Sequence, residues 1–206
     1  MNYIELDSIK DVGKKTLELL SGKYIAVSGG NTFKKIFPYW RHSKIKEMIF
    51  LPVDERIVAF DDEDSNWRMV FENLLMPNGL VTQKEHHVKD EDMMMVLLKK
   101  YLYPDYTFDQ IFLGMGNDGH IASLFPSEHE LFSKKIIEKT KKHNNYERIT
   151  VTLKLIEKAK HVFLILLGEK KINMFDYVVT NAVTESPVFN VLKVSKRITV
   201  ISSNET

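Results

Sequence analysis

The chain has 206 residues, 44% hydrophobic and 28% charged, with 29 basic against 28 acidic side chains and a formal net charge of +1. That supplies one ordinary core, and the near-neutral balance gives no bulk electrostatic reason to expect nucleic acid or an anionic membrane as partner. The lack of cysteine excludes disulfides, thiolate metal sites and cysteine nucleophiles; with no apolar leader and no run of about 20 apolar residues, the chain reads as soluble and cytoplasmic.

In chain order, Asp7 is placed to cap a helix to Leu20, with Ile9, Val12, Thr16 and Leu19/Leu20 near one face. Lys23 to Val27 is a short apolar strand, and a helix begins at Asn31 or Thr32 and runs toward Trp40. Met48 to Val53 is a strand ending in Asp54-Glu55-Arg56, and Ser65 caps a helix to Leu75, closed by Met76-Pro77-Asn78-Gly79. Asp90 to Tyr103 is helical, its Met93-Met94-Met95 run reading as core packing. Ile111 to Leu113, Arg148 to Thr152, Val162 to Leu167 and Ile198 to Ile201 are strands, with helices between the second and third and over Glu169 to Ala182. The lysine-rich run Lys134 to Lys142 reads as a solvated face, with Ile136-Ile137 as the one strand candidate between 127 and 145. Alternating strands and helices predict a mainly parallel, Rossmann-like sheet in a three-layer α/β/α sandwich. Without repeat, low-complexity segment or linker, residues 1–206 read as one domain.

Three strand ends carry unusual chemistry. In Ser28-Gly29-Gly30-Asn31-Thr32, glycine-freed backbone N–H groups, hydroxyls and a helix start together suit a phosphate, though a plain capped turn fits equally. Asp54-Glu55-Arg56 places consecutive charges after an apolar strand, where they need water, one another or a ligand. The following Asp61-Asp62-Glu63-Asp64 run lacks calcium-loop spacing and reads as surface. The third is Phe108 to Pro126, FDQIFLGMGNDGHIASLFP, in which Gly114, Gly116 and Gly119 permit a sharp bend or close approach to a ligand.

That last turn satisfies G-x-G-x-x-G, but Asp118 would face a pyrophosphate and no second strand with an acidic end follows, so a dinucleotide is not expected. His120 is the candidate base, since imidazole titrates near neutrality, and Asp118 stands two residues away to orient it or support its imidazolium. No H-x-x-x-H or carboxylate pattern marks a metal site, and Ser123 lacks a nucleophile-elbow setting.

SGGNTF (28–33), VDERIVAFDDEDSN (53–66), LGMGNDGHIASLFP (113–126), RITVTLKLIEKAKHVFLILLGEKK (148–171) and SPVFNVLK (186–193) occur in the order found in 6-phosphogluconolactonases, which the chain resembles from about Lys23 to Lys193. The resemblance implies an α/β/α sandwich related to glucosamine-6-phosphate deaminases. It also implies cofactor-free and metal-independent hydrolysis of 6-phosphoglucono-δ-lactone, with a small sugar-phosphate lactone as partner. Carried over, His120 matches the general base, with Asp118 beside it. Ser28, Gly29, Gly30, Asn31, Thr32, Gly116, Arg148 and Lys171 match positions around the sugar phosphate. Arg56, with Asp54 and Glu55, matches a charged cluster at the substrate, serving either the phosphate or the lactone carbonyl. Asn66 matches a recurring Ser-Asn pair with a structural role.

The chain departs from the family pattern at Asn31 (usually Ser), Asn117 (usually Pro) and Asp62 (often His). A same-fold isomerase or deaminase is the nearest rival, but its loops resemble MDEY and DGHIAFNEP. Here Arg56 replaces that Tyr and Phe125 that Glu, and phenylalanine cannot shuttle protons. A non-catalytic sugar-phosphate sensor is the other alternative. Oligomeric state is open, and a monomer is compatible with the sequence.

Overall fold

The computed structural model describes residues 1–206. The strands are β1 (Asn2–Glu5), β2 (Tyr24–Val27), β3 (Ile49–Pro52), β4 (Asp54–Arg56), β5 (Gln110–Gly114), β6 (Ile137–Lys139), β7 (Arg148–Val151), β8 (His161–Leu167) and β9 (Ile198–Ser203). The helices are α1 (Ile9–Leu19), α2 (Gly30–Ile36), α3 (Asn66–Val70), α4 (Glu91–Leu102), α5 (Leu153–Ile156), α6 (Glu169–Thr180) and α7 (Pro187–Val194).

Six strands form a wholly parallel sheet in the order β1-β9-β8-β5-β2-β3. Its strands alternate between two cores, as a period of two residues requires when both faces are covered. Ile25, Val27, Phe112, Phe163 and Ile165 point toward α1, α2 and α3, whereas Ala26, Ile111, Leu113, Leu164 and Leu166 join α4 to α7. Phe112 and Phe163 stack at 4.6 Å and 7° across β5 and β8, an arrangement that contributes about 0.5–1.5 kcal/mol beyond burial. No helix is long and apolar enough to cross a membrane.

The chain leaves β2 for β3 on one side and returns to place β5 on the other. The helices change face at the same point, so β2 and β5 diverge at a topological switch, where open α/β sheets form a crevice at their carboxyl ends. The loops after both strands open into that crevice.

Several sequence expectations are refined. The first helix is capped by the Ser8 hydroxyl rather than by Asp7, because it is Ser8 that accepts the Asp11 N–H at 3.1 Å. Ser65 caps its helix as expected, accepting from Arg68, and Asp90 caps the helix that begins after it, accepting from Met93; such caps stabilise a helix by about 1 kcal/mol. The helix after β2 stops at Ile36 and continues as a 3-10 turn over Phe37–Tyr39 containing Pro38. The segment Ser65–Leu75 is α3 followed by a wider π-type turn. Of the methionine run, only Met94 is buried, and Met93 is 38% exposed. Strand β1 and helix α7 add to the elements expected from the sequence.

The largest departure concerns Asp54-Glu55-Arg56 and Arg148 to Thr152. They belong not to the parallel sheet but to a separate antiparallel sheet of order β4-β7-β6. Arg56 lies directly opposite Arg148, and Asp54 opposite Thr150. Pro52 ends β3 and Val53 carries the chain from one sheet to the other, its N–H bonded to Val27 and its carbonyl to the Val151 N–H. Part of the expected solvated lysine face is β6, anchored by buried Ile137.

Candidate active site

A cleft of about 400 Å³ lies where the two sheets meet. Its lining includes Ser28, Gly29, Gly30, Asn31 and Thr32 after β2, Gly116 and His120 after β5, Asp54 and Arg56 on β4, Arg148 on β7, and Lys171 on α6. Of the residues singled out in the sequence, Glu55 and Asp118 stand outside this lining and act on it through neighbours. Lys35, Asn66 and Asn117 line it as well. Lys35 follows Thr32 by three residues in the same helix, a spacing that places both on one face and was readable in the sequence.

The turn after β5 is shaped around its imidazole. The His120 ring Nδ1 lies 2.6 Å from Asp118 Oδ1, and the same oxygen accepts the His120 backbone N–H at 3.1 Å. Partial burial would raise the Asp118 pKa, but the hydrogen bond and charge of His120 outweigh it and hold the carboxyl at about 2. An ionised carboxylate only accepts, so Nδ1 carries the ring proton and the neutral imidazole keeps its lone pair on Nε2. A Cβ at Gly116 would sit 2.2 Å from the His120 ring and 2.6 Å from Asp118. Gly116 does line the cleft, but its missing side chain makes room for the histidine–aspartate pair.

At the β2 end, the helix start of α2 presents its backbone beside Lys171, whose ammonium donates to Thr32 Oγ1 at 2.9 Å. Burial lowers the Lys171 pKa, and neighbouring Lys35 lowers it further. The Ser28 hydroxyl is buried and has no protein partner. A Cβ on Gly29 would meet the Asn66 side chain at 2.6 Å. This close passage brings α3 against the loop, so Asn66 is both structural and cleft-lining.

The antiparallel sheet supplies the remaining charges. Asp54 is buried, accepts from Ser123 Oγ at 2.7 Å and Asn66 Nδ2 at 3.3 Å, and has its pKa raised by burial against the pull of Ser123, Arg148, His120 and Arg56. Ser123 thus serves Asp54. Glu55 points the other way and is fully buried, accepting the N–H groups of Arg56, Asn66 and Trp67 and the Ser65 hydroxyl at 2.6–3.0 Å. Burial pushes its carboxyl up to about 7 against those backbone bonds. It ties β4 to the start of α3.

Arg148 is 8% exposed, with its Nε unpartnered and its guanidinium 5.7 Å from the Phe125 ring centroid. Burial lowers its pKa, opposed by the charge of Asp54. Phe125 is itself packed between His120, at 4.9 Å, and His143, stacked at 3.8 Å. Glu128, His129 and Glu130 gather outside the cleft, with Glu128 paired to Lys141 and Glu130 accepting the Lys141 N–H.

Fold and cleft together define an α/β protein that gathers cations, a helix start and an oriented imidazole around one pocket. The chain belongs to the family of glucosamine-6-phosphate isomerases and 6-phosphogluconolactonases, matching it over residues 8–200. It is 31% identical over 212 aligned positions to a 6-phosphogluconolactonase of Haemophilus influenzae, covering 91% of this chain and 89% of the relative. Its fold matches a 6-phosphogluconolactonase structure from Thermotoga maritima with a TM-score of 0.80 at 21% identity, covering 98% and 99% of the two chains. It also matches a monomeric glucosamine-6-phosphate deaminase at 0.79 and 13% identity, covering 100% and 98%. The fold accommodates both branches of the family, and the side chains must separate them.

Proposed function

We infer that this chain is a 6-phosphogluconolactonase, hydrolysing 6-phospho-D-glucono-1,5-lactone to 6-phospho-D-gluconate in the oxidative branch of the pentose phosphate pathway. The observation that carries the mechanism is the His120–Asp118 pair at 2.6 Å, on the wall of a cleft whose other walls carry Arg56, Arg148 and Lys171.

The phosphate sits against the Ser28–Thr32 loop and Lys171, where a helix start and a cation both favour an anion, and Arg148 adds a guanidinium able to bind two oxygens. This anchoring holds C1 near His120. His120 Nε2 takes a proton from a water as its oxygen attacks C1, and the carbonyl π electrons move onto oxygen. Arg56 or an N–H of the glycine turn stabilises that oxyanion. Collapse re-forms the carbonyl and breaks the bond from C1 to the ring oxygen, which takes the proton back from the imidazolium. Asp118, ionised throughout, steadies the charged ring. This chemistry uses only side chains of the chain and water, and a small soluble substrate is compatible with a cytoplasmic enzyme.

The deaminase alternative needs a further proton-transferring side chain at the Phe125 position. That ring is 5% exposed and packed between two imidazoles, which favours the lactonase reading. The deciding experiment generates the lactone in situ and follows its loss with and without protein. Acceleration over spontaneous hydrolysis is expected, and none would refute the assignment.

A further inference from the structure

The register of the small sheet creates an electrostatic difficulty. Arg56 and Arg148 are directly opposed on β4 and β7, and like charges facing each other across an antiparallel pair are destabilising. Each therefore requires an anionic neighbour. Arg148 has Asp54, whose charge acts on it more strongly than any other. Arg56 has Asp64, from the acidic run that reads in the sequence as plain surface: Arg56 Nη1 donates to Asp64 Oδ1 at 2.5 Å and to the Asp64 carbonyl at 2.9 Å.

Asp64 is itself held. Its backbone N–H is bonded to Asp62 Oδ1 at 2.9 Å, and its second carboxylate oxygen accepts the phenol of Tyr146. The Tyr146 ring also lies under the guanidinium, 5.1 Å from centroid to Cζ. Tyr146 precedes β7 in the hairpin whose tip, Asn144-Asn145, has positive φ at both residues. The hairpin thus brings a phenol against a loop 82 residues earlier in the chain. One nitrogen of Arg56 is occupied by this clamp, while its Nε has no protein partner.

We propose that Asp64 and Tyr146 are positioning residues, which fix the Arg56 guanidinium by one nitrogen and present its other donors to the reacting end of the lactone. The proposal rests on the lactonase reading and extends it to two residues outside the cleft lining. A guanidinium held in this way needs no reorganisation as charge develops on the carbonyl oxygen, which is where preorganised donors contribute most. The pair touches no substrate and acts through Arg56.

The test is a double-mutant cycle on the full chain, using Asp64→Asn and Tyr146→Phe alone and each combined with Arg56→Ala. Initial rates on lactone generated in situ and melting temperatures are measured for every variant. Asp64→Asn is expected to lower kcat/KM by about tenfold, mainly in kcat, because a charge-assisted bond becomes a neutral one. Tyr146→Phe keeps the ring and loses the hydroxyl, with an expected loss of about threefold, smaller than for Asp64→Asn because the lost bond is to Asp64 and acts on Arg56 only through it. Both losses should vanish in the Arg56→Ala background, since residues acting through a common group are not additive. A purely structural role would instead lower melting temperature and multiply with Arg56→Ala. Multiplicative losses, or Asp64→Asn and Tyr146→Phe turnover equal to wild type, overturn the proposal. Should Asp64→Asn fold poorly, the Tyr146→Phe cycle carries the same decision. If the wild-type chain fails to hydrolyse the lactone, the functional reading falls separately. The cycle is then read on 6-phosphogluconate affinity by calorimetry, where coupling supports the clamp and additivity refutes it.

Discussion

The two sheets contribute to one cleft by different means. The six-stranded parallel sheet supplies backbone: strand ends, glycine turns and the start of α2, with His120 and Lys171 seated on the connections. The three-stranded antiparallel sheet supplies charged side chains directly from its strands, with Asp54, Arg56 and Arg148 in fixed register. The first arrangement places ligands by topology, as any doubly wound sheet can. The second places charges by cross-strand pairing, which requires counter-charges nearby. In the proposed mechanism anchoring and chemistry are divided partly by sheet, with His120 on the parallel side and Arg56 on the other.

The severest challenge to this division is His120→Ala. Loss of the base should lower kcat by roughly 10²–10⁴-fold while 6-phosphogluconate still binds; steady-state kinetics with calorimetry checks both, and unchanged turnover would remove His120 from the mechanism. Gly116→Ala tests whether the turn is shaped for that ring. The added methyl would stand 2.2 Å from the imidazole, and a displaced catalytic group costs on the order of 10²-fold in kcat. A variant with normal kcat would show that the ring has space to move.

Lys171→Ala and Arg148→Ala compare the two sheets at the anchoring end. Each would remove a proposed charge-assisted contact to phosphate, so KM should rise by about 10–100-fold with kcat little changed. If Arg148→Ala lowered kcat at constant KM, Arg148 would move to the reacting end and the antiparallel sheet would own the carbonyl outright.

The smallest expected effect lies far from the cleft. Burial, aided by the charge of Arg197, pushes His161 down from 6.5 to about 4, and its Nε2 lies 2.9 Å from Thr199 Oγ1 across β8 and β9. Between those pH values the unfolded chain binds a proton that the folded chain refuses, so this residue makes stability fall as pH drops from about 6.5 toward 4. His161→Gln should therefore flatten that part of the urea-unfolding profile relative to wild type. Equal slopes for both proteins would mean that His161 is protonated in the fold.

The parts of this molecule legible in its sequence are those set by local chemistry. The parallel strands announced themselves as apolar runs broken by Ser28-Gly29-Gly30 and by the 114–120 turn, and His120 and Asp118 are close because they are two residues apart. The role of Gly116 was half visible: the sequence indicated a sharp bend or close approach, and the structure shows the His120 ring and Asp118 packed against it. The antiparallel sheet was hidden because β4 is three residues long and its partner β7 lies about 90 positions onward, a pairing that no local periodicity encodes. For the same reason Asp64 read as one more acidic surface residue, since the guanidinium that it holds lies on β4 and the phenol that it accepts comes from the hairpin before β7. Helix α7 opens on Pro187 just after Ser186, a start signal that the sequence carries.

The opposed pair of Arg56 and Arg148 has a consequence for the protein as a whole. Arg56 and Arg148 are held in register with Asp54 and Asp64 as their anionic neighbours, and under the proposed function a phosphorylated sugar acid would add a further anion to that cluster. Under the proposed function the folded protein would be coupled to its own product: an anion that binds the native state alone stabilises it, above its dissociation constant, in proportion to the logarithm of its concentration. On that reading, sugar acid above its dissociation constant would raise the resistance of the chain to heat and to proteolysis.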